Sequence, residues 1–480
     1  GRDGIHGVTF ASLELTEESE KVSRPAVQIA NPIEEEKLAR AIITIRDLKL
    51  ASSITDLGGG GLSSAVGETA HKFGCGAYVE LDKVPLKYPR ISPWEIYISE
   101  SQERMLLTVP PENLKRVLEI FESENVEATA IGRLTEDETL RIVYKDHLVA
   151  ELDMDFLFSP PLVERFAVWK KAIYEEPVFK EPADLAEPLL QILSSPNVAS
   201  KEAVIRTYDH EVKGNTVIKP LYGENDGPSD AAVLKPLDDS WRGLVISCGM
   251  NPQYGKIDPY WMAASAIDEA IRNNISVGGR RIALLDNFVW GSPEKPDRLG
   301  GLVRACKACY RFAKGFGAPF ISGKDSLYNE SPLGPVTPTL LITAVGVIPD
   351  IRKAVTTDLK HPGDPIYLLG RTYFELGGSE YYRLRGFVGM SVPKVRLEEA
   401  RATMKGLIKA IDSGCVKACH DLSEGGLGVA AAEMAFSGGL GLEIWLDRVV
   451  KSDDLQRDDY IPVSYTHLRA HETRHDLVCR

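Results

Sequence analysis

Asp56-Leu57-Gly58-Gly59-Gly60-Gly61-Leu62 returns, 365 residues further on, as Asp421-Leu422-Ser423-Glu424-Gly425-Gly426-Leu427. The match widens without a gap to residues 56–84 over 421–449, and 13 of the 29 positions are identical, among them Asp56/Asp421, Gly60/Gly425, Gly61/Gly426, Glu68/Glu433 and Asp82/Asp447. In each copy a short strand runs into a glycine-bearing turn, an alanine-rich helix follows, and a second strand ends in Leu-Asp. So long a period excludes a solenoid. The stretch between the copies reads differently, so the chain is ordered as module A, a different module B, and module A again.

Working outward, module A covers 1–180 and 181–199 is a proline-punctuated linker with a short helix. Module B covers 200–354, where strand runs (243–248, 281–285, 319–322, 340–348) alternate with helical runs (262–273, 302–315). The second module A covers 355–459, beginning with a strand at 365–369. The predicted class is α+β, built from α/β-type sandwich modules. Residues 460–480, YIPVSYTHLRAHETRHDLVCR, break the alternation. His467, His471 and His475 are four apart and on a helix would share a face able to ligate a metal. The stretch nevertheless resembles translated adapter sequence and is read as a non-native tail without native packing.

Composition agrees with three soluble domains: 480 residues, 44% hydrophobic and 26% charged, at about 150 residues per domain. A net charge of −13 supplies no overall positive field for a polyanion, which argues against nucleic acid as a partner. No apolar run reaches the ~18 residues of a membrane span. Seven cysteines without framework spacing fit a reducing, cytoplasmic setting. The start at Gly1, without a methionine, suggests a fragment.

Chemistry could sit in several places. The Asp56–Leu62 turn can direct backbone N–H groups into one concavity at a helix start, and Asp56 at the strand end could hold a hard cation or simply cap the helix. Between the strand-like runs Ile96-Tyr97-Ile98 and Met105-Leu106-Leu107 lie six polar residues, in which Glu100, Ser101 and Gln102 offer carboxylate, hydroxyl and amide groups. In module B, Asn225-Asp226-Gly227-Pro228-Ser229-Asp230-Ala231-Ala232 is a turn-rich loop entering a strand, Leu284-Leu285-Asp286-Asn287 puts an acid at an expected strand end, and Ser322-Gly323-Lys324-Asp325-Ser326-Leu327 puts a glycine, a cation, an acid and a hydroxyl at another. In sheets with helical crossovers, ligands bind there, so module B reads as a nucleotide and metal site. Cys306/Cys309 lacks a second pair for zinc, and Cys415, Cys419 and His420 read as core.

These strings, in this order, resemble phosphoribosylformylglycinamidine synthase, synthetase component. Gly1-Arg2-Asp3-Gly4-Ile5, the Asp56 turn, Ile98-Ser99-Glu100-Ser101-Gln102-Glu103-Arg104-Met105, the Pro228–Ala232 string and the Ser322–Leu327 string carry the likeness, which covers residues 1–459. The resemblance implies tandem pairs of N- and C-modules shared with aminoimidazole ribonucleotide synthetase, here first C-module, second N-module and a truncated second C-module. It implies Gln28, Glu100, Ser101, Gln102 and Ser326 as ligands of formylglycinamide ribonucleotide. Asp286, Gly323 and Lys324 would face the nucleotide, and Asp56 would hold magnesium. Lys324 stands where small-type enzymes carry a magnesium-ligating Asn, and an ammonium cannot ligate a cation.

The implied reaction is ATP- and Mg2+-dependent amidation of formylglycinamide ribonucleotide, an amide converted to an amidine through an iminophosphate. Ammonia would come from a separate glutaminase subunit, with a small bridging subunit. The catalytic His is expected in an N-module that this chain lacks, so the piece alone is expected to be inactive. Aminoimidazole ribonucleotide and selenophosphate synthetases are alternatives, but each carries one module pair. A degenerate, non-catalytic nucleotide-binding scaffold is another.

Overall fold

The computed structural model describes residues 30–207, 210–464 and, as backbone, 468–472, together with Ile5, 13–14, 16–19 and Lys21. They fall into two compact units, Gly1–Glu164 and Arg165–Arg480. Gln28, His467 and His475 lie outside the described residues. Among the described residues no helix is long and apolar enough to cross a membrane.

The principal elements of the first unit are α1 (Pro32–Asp47), β1 (Ser53–Asp56), α2 (Leu62–Lys72), β2 (Gly76–Glu80), α3 (Pro93–Ile98), β3 (Met105–Thr108), α4 (Leu114–Ser123), β4 (Gly132–Thr135), β5 (Thr139–Tyr144) and β6 (His147–Asp153). β1 and β3 form an antiparallel pair, and a second sheet has the order β4-β2-β5-β6. Leu62, Ala65, Val66 and Ala70 line one side of α2 and pack with Ala77, Val79, Leu140 and Ile142 of that sheet. The helical periodicity on one element and the alternation on the other thus converge on one core.

The sequence expects a strand at 96–98, and the structure corrects this to the end of α3. Ser92 and Glu95 form a reciprocal capping box around a Pro at the first helical position. That pairing satisfies helix-start N–H groups which a strand would leave without partners.

In the second unit the principal elements are α5 (Ala186–Leu193), β7 (Thr216–Ile218), β8 (Ala231–Leu234), β9 (Gly243–Met250), α6 (Pro259–Ser276), β10 (Arg280–Val289), α7 (Pro296–Phe316), β11 (Phe320–Ser326), β12 (Thr339–Ile348), β13 (Ile366–Leu369), α8 (Leu397–Asp412), β14 (Val416–Asp421), α9 (Gly426–Ser437) and β15 (Leu468–Glu472). A six-stranded sheet has the order β11-β10-β12-β9-β8-β7, with only β10 and β11 parallel. α6 and α7 cover one face of it through Met262, Ala266, Ile267, Ala270, Ala305, Ala308 and Phe312. The approach is close because β9 carries a glycine there: a Cβ on Gly249 would lie 2.3 Å from the carbonyl oxygen of Ala266. The opposite face leaves Ile246, Cys248 and Met250 exposed.

Two strand ends move. The sequence stops them at Leu285 and Ser322, whereas the parallel ladder continues from Leu285↔Ser322 to Val289↔Ser326. Asp286 and Gly323 therefore sit inside strands, since Asp and Gly, though poor strand formers, are held by the ladder on either side.

The tail boundary is a larger correction. Tyr460, Ile461, Val463 and Ser464 are buried, at 4%, 1%, 6% and 1% exposure, and the first three pack against Ile192, Leu376, Tyr381, Tyr382 and Val429. At the offset of 365, Ile461 and Ser464 correspond to Ile96 and Ser99, which are buried at 2% each. The second copy thus continues past 459. β15, drawn from the same stretch, lies between β13 and β14 and runs antiparallel to both. Residues 441–445, which match β2, alternate between exposed and half-buried but form no strand, and among the described residues no strand lies beside them to complete a ladder.

Candidate functional site

In the first unit, pairing of β1 with β3 sets Asp56 opposite Met105 and so brings the two following loops side by side. Gly60 N–H donates to Glu100 Oε1 at 3.0 Å. Gly61, at φ 57°, starts α2 without a side-chain cap, and a Cβ there would lie 2.0 Å from the carbonyl oxygen of Ser99. Asp56 is therefore not the cap of α2. Its carboxylate is exposed at the strand end, and Gly58 leaves room for it, since a Cβ would stand 2.7 Å from Oδ2. An exposed carboxylate oxygen is the hard ligand that a magnesium ion takes.

Ser99, Glu100 and Ser101 are buried. Gln102 is exposed, with its Nε2 donating to Glu100 O at 2.8 Å. Arg104, to which the sequence gives no role, fastens this loop: Nε donates to Ser101 O at 2.7 Å and Nη2 to Ser99 O at 2.6 Å. Its only signal was a cation next to a run of groups that accept hydrogen bonds. Glu100 through Gln102 thus lie against the glycine turn that holds Asp56.

In the second unit the strand period divides the residues expected at the nucleotide. Asp286 stands beside Gly323 in the parallel register, on the helix-covered face that also carries Leu284 and Phe288. A Cβ on Gly323 would lie 2.3 Å from Asp286 Oδ1, so only glycine leaves space for that carboxylate. Burial, and after it the neighbouring Asp325, pushes the Asp286 carboxyl above its usual range. Lys324 and Ser326 alternate onto the opposite face; Lys324 Nζ donates to Asp325 O at 3.2 Å, and Ser326 Oγ accepts from Asn329 Nδ2 at 3.3 Å.

A cluster that sequence reading dismissed as core surrounds Asp421, the repeat partner of Asp56. Asp421 N–H donates to Asp230 Oδ2 at 3.0 Å. His420 Nδ1 meets Asp230 Oδ1 and its Nε2 meets Glu433 Oε2 at 2.8 Å. Ligand atoms of Asp230, His420 and Asp421 lie within 4.8 Å of one another. Arg272, fully buried on α6, places Nη1 2.9 Å from Asp268 Oδ2 and Nη2 3.2 Å from Asp421 Oδ2. Burial and the Asp230 charge push the Asp421 carboxyl up to about 6. Burial likewise raises Glu424 to about 7 and lifts Glu269 well above the carboxylate range. Burial opposes a charged His420, yet Asp230 and Glu433 outweigh it and hold the ring well above its ordinary value. The signal for this cluster was an Asp268/Arg272 pair one helical turn apart inside an alanine-rich run.

The modules have known counterparts. Residues 1–145 and 361–471 match the AIR synthase related protein, C-terminal domain, and residues 228–348 match the corresponding N-terminal domain. The chain belongs to the AIR synthase related protein family. Within its reach, the chain is 41% identical over 451 residues to the phosphoribosylformylglycinamidine synthase subunit PurL of Thermococcus sibiricus, covering 94% of this chain and 61% of that one. It is 38% identical over 467 residues to the PurL subunit of Methanobrevibacter smithii, covering 96% and 63%. This chain thus spans about three fifths of the length of those relatives. Among solved structures, T. maritima PurL complexed with FGAR superposes with a TM-score of 0.71 at 26% identity, over 100% of this chain and 68% of that one.

Proposed function

We propose that this chain carries the substrate loops and a nucleotide-facing strand pair of a phosphoribosylformylglycinamidine synthase acting in purine biosynthesis in the cytoplasm. In that reaction the glycinamide carbonyl oxygen of formylglycinamide ribonucleotide attacks the γ-phosphorus of ATP. The P–O bond to ADP breaks and an iminophosphate forms. Ammonia then adds to the imidate carbon, phosphate leaves with the former amide oxygen, and the amidine remains. Ammonia comes from a separate glutaminase subunit joined through a small bridging subunit.

The observation that carries this reading is the Gly60–Glu100 hydrogen bond. It seats the loop matched to the ribonucleotide against the turn that presents Asp56. Glu100, Ser101 and Gln102, with Gln28 as a further ligand, hold and orient the polar ribonucleotide, while Arg104 keeps their loop in shape. Asp56 is the residue that would hold magnesium, which when bound neutralises charge on the triphosphate. Asp286, whose carboxylate fills the space left by Gly323, and Lys324, from the opposite face of the strand pair, address the nucleotide, and Ser326, on the face of Lys324, the substrate. The likeness to the PurL subunits over 94% of the chain supports the assignment, as does the bound ligand of the Thermotoga structure, FGAR.

The test is Asp56→Asn in the complete enzyme. Because Asp56 is exposed and caps nothing, the melting temperature should hold within about 1 °C, while substrate-dependent ADP formation at limiting magnesium should fall at least tenfold. Intact activity at limiting magnesium would remove Asp56 from the site.

A further inference from the structure

The two copies of the glycine turn present the same acid in opposite electrostatic settings. Asp56 is exposed, whereas Asp421 is 4% exposed and ion-paired to a cation drawn from a helix 149 positions away in sequence. That cation, Arg272, is itself fully buried and reaches Asp268 with its other terminal nitrogen. A guanidinium is a planar fork that can satisfy two carboxylates at once and stays charged under all working conditions.

We propose that Arg272 is the resident cation of the second copy: its guanidinium takes the position against Asp421 that a divalent ion could otherwise occupy, so this copy of the turn holds module B to the second module A without a metal. Three features support it. Asp230 turns one oxygen to the Asp421 N–H and the other to His420, so neither is directed at an open space. His420 has a carboxylate on each ring nitrogen, Asp230 on Nδ1 and Glu433 on Nε2, which suits a doubly protonated ring donating twice and leaves no lone pair for a metal. Asp268, 2.9 Å from Nη1, is the second acid that a bridging guanidinium takes. The inference stands on the repeat and on this geometry, independently of whether the first copy binds magnesium or substrate.

The experiment is Mn2+ binding, counted by electron paramagnetic resonance on the full chain, together with thermal unfolding in chelator and in excess Mn2+. In the wild-type background Asp421→Asn should leave the number of bound Mn2+ ions unchanged. Arg272→Met keeps much of the volume but takes the guanidinium from two buried acids, and it should lower Tm in chelator by on the order of 10 °C. Mn2+ should restore at least half of that loss and add one bound ion, which Asp421→Asn in the same chain should abolish. Arg272→Lys should remain insensitive to Mn2+. Loss of a bound Mn2+ ion on Asp421→Asn alone would overturn the proposal, as would an Arg272→Met protein that folds yet ignores Mn2+. Should Arg272→Met fail to fold, the comparison of wild type with Asp421→Asn decides by itself. None of these readouts involves formylglycinamide ribonucleotide or ATP, so failure here leaves the proposed reaction standing, and the reverse also holds.

Discussion

The first and second glycine turns share a sequence pattern and differ in what they face. Around Asp56 the turn gives its Gly60 N–H to Glu100, and the acid is exposed. Around Asp421 the same turn is sealed by Arg272, Asp230 and His420. A duplicated motif therefore specifies a local backbone shape, while neighbouring elements decide whether the acid on it meets solvent or an arginine. The shape itself is reproduced closely. Gly61 and Gly426 both have positive φ, at 57° and 66°, and a Cβ on either would strike the carbonyl oxygen of Ser99 or of its repeat partner Ser464, at 2.0 and 2.5 Å.

The comparison can be broken most severely at residue 460. Ending the chain after Asp459 removes Tyr460, Ile461 and Val463 from their core, and at roughly 1.5–3 kcal/mol for each buried side chain the loss should be about 5 kcal/mol. Thermal or urea unfolding would show it, and an unchanged midpoint would return these residues to a non-native tail. Next come Gly61→Ala and Gly426→Ala. Each forces a Cβ into backbone at positive φ and should cost about 3 kcal/mol or more. Parallel losses confirm that the two turns are one structure, whereas a silent Gly426→Ala would end the equivalence of Ser99 and Ser464.

A smaller effect separates the settings of the two acids. The folded-state value of Asp421 is about 6 and that of Glu424 about 7, both raised chiefly by burial. Native protein therefore keeps protons that the unfolded chain releases from about pH 4 upward. Stability from these groups is complete below that point and is lost as pH rises through about 6 and then about 7. Asp421→Asn should flatten the fall by about 1–3 kcal/mol across that window. The smallest structural effect belongs to Gln102→Ala: with an exposed side chain, stability should change by under about 0.5 kcal/mol. Affinity of the complete enzyme for formylglycinamide ribonucleotide should nevertheless fall about tenfold by calorimetry, with ATP affinity unchanged. Equal weakening of both ligands would make the loop a general support.

Much was legible in the sequence because it rested on local rules. The repeat followed from residue identity, and the helices over 262–273 and 302–315 from periodicity; α6 and α7 contain both. Alternation located the strands of module B but not their ends, because Asp286 and Gly323 break strand propensity and are carried by the ladder between β10 and β11. The run at 96–98 read as a strand because three apolar residues have no period of their own, and Ser92 with Glu95 decided for helix. At 460–464 unusual composition outweighed a repeat offset that the sequence already contained.

What the sequence determined by itself was the backbone chemistry: where glycines permit positive φ, where an acid ends a strand, and which strings resemble the synthase. Only the tertiary structure decided what those groups meet. Asp268 and Arg272 are one helical turn apart, but Asp421 arrives from 149 positions away, and Glu100 reaches Gly60 across 40. Whether an acid is left for a cation or neutralised from within depends on burial and on the sign of its neighbours. Both are set by which elements pack together, so no local pattern around Asp56 or Asp421 could encode them.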